Sequence, residues 1–290
     1  MKAMPYILHA LSPLHAGTGQ AADIIDLPIA RLRATGIPFI PGSSIKGVLR
    51  ESRRQDLDDK TWRAVFGPDT SAAAEHAGAL IVSDARLLAL PVRSFKGTFA
   101  WVTSPLLLML AGRDLDGGDR LRLAAMDGRQ ALVPSGSAVI VSGKNRLYLE
   151  DLDVPAKEDG ANLLQWTETI GRVFGDDIEI FKKRFVVVDD ETMTFLWETA
   201  TQVDARVRID AETRTVAKRA LWLEESLPPE TLLVGTLLAD RSRRADTKLD
   251  PAAVLSNAIP AAEVIQFGGK ATVGRGRCRL VPLGDKEATK

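Results

Sequence analysis

Phe39–Arg50, FIPGSSIKGVLR, is a glycine-serine turn that feeds straight into a short amphipathic helix. Gly42 lets the backbone turn, and Ser43 or Ser44 is placed to cap the helix. First-turn N–H groups then face an anion, with the helix dipole adding positive potential. Lys46 and Arg50 lie four apart on one face, while Ile45, Val48 and Leu49 supply a face to bury. Two readings compete: a phosphate cradle that carries its own cations, and an ordinary capped surface helix. The segment alone favours the second, so its flanks decide.

Upstream, Tyr6–Ser12 is short and apolar between Pro5 and Pro13, as a buried strand is. Residues 14–37 read as a loop that carries an apolar patch around a lone carboxylate, Ile24-Ile25-Asp26-Leu27. Downstream, 51–65 is helical in character, 79–90 a strand, 91–103 a loop into a strand, and 105–111 a helix start. Between about 114 and 190 only short strands (138–141, 147–149) and a helix (163–174) can be read. Val203, Ala205, Val207 and Ile209 alternate with Asp204, Arg206, Arg208 and Asp210, the period of a half-buried strand. A turn at 211–215 and the return 216–223 make a long hairpin bearing Arg206, Arg208, Lys218 and Arg219. A strand at 232–239, a helix at 251–259 and a glycine-interrupted strand at 261–283 complete the chain. Strands and helices mixed without strict βαβα alternation predict an α+β fold.

The 290 residues suffice for a substantial core, and 38 basic residues balance 38 acidic ones. A polyanion binder with that balance must segregate its charge locally. Cys278 is the only cysteine and the three histidines (His9, His15, His76) have no zinc spacing, which excludes intramolecular disulfides and thiolate metal clusters. The N-terminus has no secretory pattern, and the apolar stretch 99–112 is interrupted by Thr103, Ser104 and Pro105. A cytoplasmic protein with no membrane partner is expected.

Phe267–Leu280, FGGKATVGRGRCRL, interleaves Gly268, Gly269, Gly274 and Gly276 with Lys270, Arg275, Arg277 and Arg279 and holds no acidic residue. It is neither a dinucleotide fingerprint nor a Walker A loop. Glycines let a backbone approach phosphates that the cations neutralise; the alternative is a bulged edge strand with a solvated basic face.

Five segments together resemble the RAMP superfamily of CRISPR proteins, and within it the backbone subunit of the type III-B effector complex. They are LSPLHAGTGQ (11–20), IIDLPIARLRATGIPFIPGSSIKGVLRE (24–51), GALIVSDARLLALPVRSFKGTFAWVTSP (78–105), RVRIDAETRTV (206–216) with LWLEE (221–225), and QFGGKATVGRGRCRL (266–280). The second and third are the most specific. The resemblance implies one domain over residues 1–290. It would be an RRM-like, ferredoxin-like palm with insertions at about 14–37 (catalytic loop), 50–78 and 105–190, and a β-hairpin thumb at about 203–223. It implies copies stacked head-to-tail on a CRISPR guide RNA, alongside other subunits of the complex, with bases left free to pair with target RNA. Gly42, Ser43, Ser44, Lys46, Arg50, Gly268, Gly269, Lys270, Gly274, Arg275 and Gly276 are then expected to hold the RNA backbone.

The resemblance also implies an endoribonuclease that cuts target RNA once per subunit, with Asp26 at the cut. Without it, Asp26 would read as a turn or cap residue. One carboxylate cannot organise a two-metal site, and a carboxylic acid of ordinary pKa, about 4, is a poor general base at neutral pH. The expected route is attack by the ribose 2′-OH on its own phosphate, with Asp26 positioning the hydroxyl or holding one divalent ion, Mg or Mn. His15 either contacts the scissile phosphate or satisfies backbone groups in its turn. Glu224, with Glu225, either reaches a neighbouring cut site or is a solvated strand end. Leu223 and Ser226 stand where the family commonly has aromatics beside this pair. The alternative function is a non-catalytic guide-RNA-binding subunit.

Overall fold

The computed structural model describes residues 1–17, 25–69, 76–115, 123, 126, 128–244, 246–261 and 264–283, with the side chains of 217–219 outside that set. The chain runs through β1 (Lys2–Ala10), β2 (Phe39–Ile40), α1 (Gly42–Ser52), α2 (Asp59–Phe66), β3 (Leu80–Val82), β4 (Ala85–Ser94), β5 (Thr98–Thr103) and α3 (Pro105–Gly112). The middle supplies β6 (Ala131–Val133), β7 (Arg146–Leu149), β8 (Leu152–Glu158), α4 (Gly160–Gly171), α5 (Ile178–Lys182), β9 (Phe185–Val188) and α6 (Asp190–Thr199). A hairpin of β10 (Gln202–Ile209) and β11 (Val216–Ser226) precedes β12 (Leu232–Ala239), α7 (Pro251–Ala258), β13 (Ile265–Gln266) and β14 (Arg277–Pro282).

β1 is buried from Met4 onward on both faces, which only a strand covered on both sides can be. It pairs antiparallel with β12 and β14, in a sheet ordered β13-β14-β1-β12-β4. Tyr6 faces Gly235 across the β1–β12 pair; a Cβ there would lie 2.6 Å from the Tyr6 hydroxyl, so only glycine leaves room for the ring. β4, ARLLALPVRS, is apolar along nearly its whole length and serves two sheets. Its first half pairs with β12 and β2, its second half with β5. From there the order β4-β5-β9-β6-β8-β7 returns to β4 through the Ser94–Leu149 pair, closing a barrel. The β5–β9 and β6–β8 pairs are parallel and the remaining pairs of the barrel antiparallel. The fold is a mixed α+β structure with a closed β-barrel and flanking helices.

Alternation along β1 divides the core. Tyr6 and Leu8 join Ile45, Leu49, Trp62, Val65 and Val254 from α1, α2 and α7, while Ile7 joins Leu163, Trp166 and Phe181 from α4 and α5. Each fully buried side chain of this kind contributes about 1.5–3 kcal/mol of transfer free energy. Among the described residues no helix is long and apolar enough to cross a membrane.

Several local expectations are corrected. Residues 138–140 are bends, and Val141 makes an isolated bridge to Arg146. The helix expected over 163–174 starts at Gly160 and passes into a 3₁₀ segment at Arg172, where Gly175 at φ 55° breaks the helical path. The hairpin runs on to Ser226, so Glu224 and Glu225 lie inside β11 rather than beyond it. Its burial is inverted: Val203, Val207, Ile209, Val216 and Leu221 face outward, 46–65% exposed, while Asp204 and Glu224 on the other face are covered by the terminal loop. Lys218 and Arg219 lie outside the described side chains.

Candidate nucleic-acid interface and cleavage loop

The Asp26 loop is stitched to the base of the hairpin. Leu27 bridges Glu224 in a parallel sense: Leu27 N–H donates to Leu223 O at 3.1 Å, and Glu225 N–H donates to Leu27 O at 3.0 Å. The exposed Asp26 side chain accepts the Leu223 N–H at 2.8 Å through Oδ2, which anchors the carboxylate to the hairpin. Ile29 bridges Gly17, and Ala30 N–H donates to Ala16 O at 2.7 Å, tying the far side of the loop to the His15 turn. The loop is therefore held like an added strand.

His15 is 8% exposed, and its Nδ1 lies 2.7 Å from the carbonyl of Glu225. A carbonyl only accepts, so Nδ1 carries a proton and Nε2 is the ring nitrogen left for other partners. Gly17 makes room for that edge: a Cβ there would lie 2.6 Å from Nε2. The ring borders an open cleft of about 320 Å³ lined by His15, Gly17, Pro41, Ser44, Val48 and Gly268, among others. The turn before α1, the His15 turn and the terminal glycine loop thus meet at one place.

Within α1 the N-cap is Pro41, whose side chain makes no capping bond, so neither Ser43 nor Ser44 caps the helix; both are exposed in its first turn. The Gly42 N–H is already taken by Asp84 Oδ1 at 2.8 Å, a built-in anion at the helix N-terminus. Gly42 is glycine because a Cβ would lie 2.3 Å from the Val82 carbonyl. Lys46 and Arg50 turn inward as well. Lys46 Nζ donates to Leu80 O at 2.8 Å, and burial, then the nearby Arg50, lowers its pKa from the ordinary lysine value. Arg50 binds Pro68 O and Asp69 and sits over the Trp62 ring, 4.2 Å from its centroid. Gly42, Lys46 and Arg50 are accordingly engaged by the protein itself.

The terminal loop folds back on the N-terminal segment. Gly269 N–H donates to His15 O at 3.0 Å, and Gly276 N–H donates to Pro13 O at 2.8 Å. Gly268 (φ 73°) and Gly276 (φ 76°) are required by close approach, since a Cβ would lie 2.4 Å from His15 O and 1.9 Å from Phe267 O respectively. Gly274 (φ 78°) has open space around it. Arg275 is 5% exposed: it donates to Ser226 Oγ at 2.7 Å, binds Asp204, and places Nε 3.4 Å from Glu224 Oε1. Its guanidinium holds the Asp204 carboxyl below the usual carboxylate range. Arg275 is therefore an interior cation, not an RNA-facing one.

Glu224 is 1% exposed, so it is neither a solvated strand end nor free to reach outward. Lys270 Nζ (3.5 Å), Arg206 Nε (3.9 Å) and Arg275 surround it, and its Oε1 makes no hydrogen bond among the described residues. Three cations compensate its charge without tight bonds. Glu225 is also buried, paired with Arg31, which sequence reasoning passed over; a buried acid announces its partner only once the strand carrying it is placed. Among the described residues no group of three or more His, Cys, Asp or Glu is gathered for a metal. Asp26 offers one carboxylate, the protein share with which Mg²⁺ is often held alongside phosphate oxygens and water.

Residues 7–279 match the RAMP superfamily. The CRISPR system Cmr endoribonuclease Cmr4 of Pyrococcus furiosus is 35% identical over 285 residues, covering 95% of this chain and 94% of that protein. The crystal structure of oligomeric Cmr4 from the same organism superposes with a TM-score of 0.74 at 28% identity, covering 97% of this chain and 98% of the other. A chain from the cryo-EM structure of the type III-B Cmr-beta complex bound to cognate target RNA shares the fold, with a TM-score of 0.76 at 23% identity and 99% of each chain covered. The chain belongs to the RAMP superfamily of CRISPR proteins and is a homologue of Cmr4.

Proposed function

We propose that this chain is the target-cutting backbone subunit of a type III-B CRISPR ribonucleoprotein. Copies stack along a guide RNA beside the other subunits, and each cuts complementary target RNA, giving cuts at regular intervals. The single observation that carries the reading is Asp26, an exposed carboxylate fixed to the hairpin base in a chain matched along 95% of its length to an endoribonuclease. The oligomeric relative supports stacking. The order β14-β1-β12-β4 is the fourth-first-third-second order of a βαββαβ unit, with α1 and α7 as its helices, which supports a ferredoxin-like palm. β10–β11, its tip clear of the sheets, is the thumb.

The guide's sugar-phosphate backbone runs over the cleft between Ser43, Ser44, Gly268, Gly269, Lys270 and Gly274, where backbone and cation contacts carry no base preference. Gly42, Lys46, Arg50, Arg275 and Gly276 build the walls from behind. At the cut, the ribose 2′-OH attacks the adjacent phosphorus and the bond to O5′ breaks. The 2′ proton passes to solvent and O5′ takes a proton from solvent, yielding a 2′,3′-cyclic phosphate and a 5′-hydroxyl. Asp26 orients the 2′-OH for in-line attack, and His15 presents Nε2 toward the phosphate. A divalent ion, Mg or Mn, would be held by Asp26 and would offset charge on the phosphate.

The test is cleavage of end-labelled target RNA by complex assembled on guide RNA. Evenly spaced products ending in cyclic phosphate are expected. An uncut target overturns the function; products with a 3′-hydroxyl and 5′-phosphate overturn the route.

A further inference from the structure

Glu225 plays no part in the roles above, yet its buried carboxylate accepts three hydrogen bonds beside the Asp26 loop. It is 2% exposed. Its Oε1 accepts from Arg31 Nη2 at 2.6 Å and Thr201 Oγ1 at 2.9 Å, and its Oε2 accepts the Ile29 N–H at 3.0 Å. Its main chain continues the pattern: the N–H donates to Leu27 O at 3.0 Å, and the carbonyl accepts from His15 Nδ1 at 2.7 Å. Arg31 is itself pinned to Trp197 O at 3.0 Å and Gly36 O at 3.3 Å. Three segments meet on this one residue: the loop carrying Asp26, the turn carrying His15, and the connection from α6 into β10.

A buried ion pair is a weak device for stability, because an apolar core of the same volume serves as well or better. It is a strong device for register, since a carboxylate with three donors in fixed directions accepts only one arrangement of them. Two of those donors, Ile29 and Arg31, lie on the Asp26 loop, whose reacting carboxylate is held, among the described residues, by the Leu223 bond.

We propose that Glu225 is a positioning residue of the cleavage reaction: from one point it sets where the Asp26 loop and the His15 ring stand relative to the hairpin. The inference rests on the reading of Asp26 as the residue at the cut. In-line attack tolerates little displacement, and a misplacement of about 1 Å costs on the order of 100-fold in rate.

The test uses complex assembled on guide RNA with wild-type chain, Asp26→Asn, Glu225→Gln, Arg31→Lys and Thr201→Val, reading single-turnover cleavage and target-RNA affinity separately. Glu225→Gln removes the charge and sets an amide N–H against the loop's donors. It is expected to slow cleavage by about 100-fold with affinity within about twofold. Arg31→Lys, which keeps one cation for the pair, falls between it and wild type, and Thr201→Val, which removes one bond of three, slows cleavage least. Cleavage at the wild-type rate by Glu225→Gln, or affinity falling in proportion to rate, overturns the inference. If Glu225→Gln does not assemble, Arg31→Lys and Thr201→Val decide: a wild-type rate in both overturns it. Undiminished cutting by Asp26→Asn instead overturns the assignment of Asp26 on which the inference depends.

Discussion

Asp26 combines exposure with fixation: the residue is exposed, and one carboxylate oxygen is held on a backbone N–H. Other conspicuous residues of the chain carry their meaning elsewhere. Gly276 looks like a residue cleared for phosphate, but its φ of 76° and the Phe267 carbonyl 1.9 Å from where a Cβ would sit make it a folding requirement. Gly276→Ala should therefore cost about 1–3 kcal/mol or more in urea denaturation, with or without RNA; a stable variant defective only in RNA binding would contradict this. Residue types at the site were legible in the sequence: the Asp26 loop, the His15 turn and both glycine-rich segments. Their partners were not, because whether Arg275 or Lys46 faces RNA or a neighbouring carboxylate depends on contacts between segments distant along the chain.

At the scale of elements, period-two alternation placed the hairpin correctly and its burial wrongly. The ions at its base decide which face is covered. Glu224 and Asp204 share Arg275, so the polar face folds under the terminal loop and the apolar one is left outward. Arg275→Met takes one of its cations from the buried Glu224 and removes the bonds to Ser226 and Asp204, and should cost about 1–3 kcal/mol at neutral pH. Asp204 adds a pH dependence of defined sign. Its folded pKa is depressed, so its contribution is present above the unfolded value, about 3.9, and is lost as pH falls through the lower folded value. The stability gap between wild type and Arg275→Met should narrow as pH drops from 7 to below about 4; a gap independent of pH would contradict the linkage. Long elements such as β12 were readable from sequence. The barrel was not, because strands as short as Ala131–Val133 show no period and β4 belongs to two sheets at once.

For the whole molecule, equal numbers of acidic and basic residues mean that no global field selects RNA; the surface must be organised locally. The central sheet brings the N-terminal turn, the strand-turn-helix at Phe39–Arg50 and the C-terminal glycine loop to one cleft, although they are far apart in sequence. Their order along the chain was visible from sequence, and their convergence follows only from β1 lying between β12 and β14. On the proposed function, the loop docked beside this cleft cuts RNA through Asp26. Asp26→Asn tests it most directly, since asparagine retains an oxygen to accept the Leu223 N–H while losing the charge. In complex assembled on guide RNA, single-turnover target cleavage should fall by at least about 100-fold with assembly and target binding unchanged; cutting at the wild-type rate would remove Asp26 from the reaction.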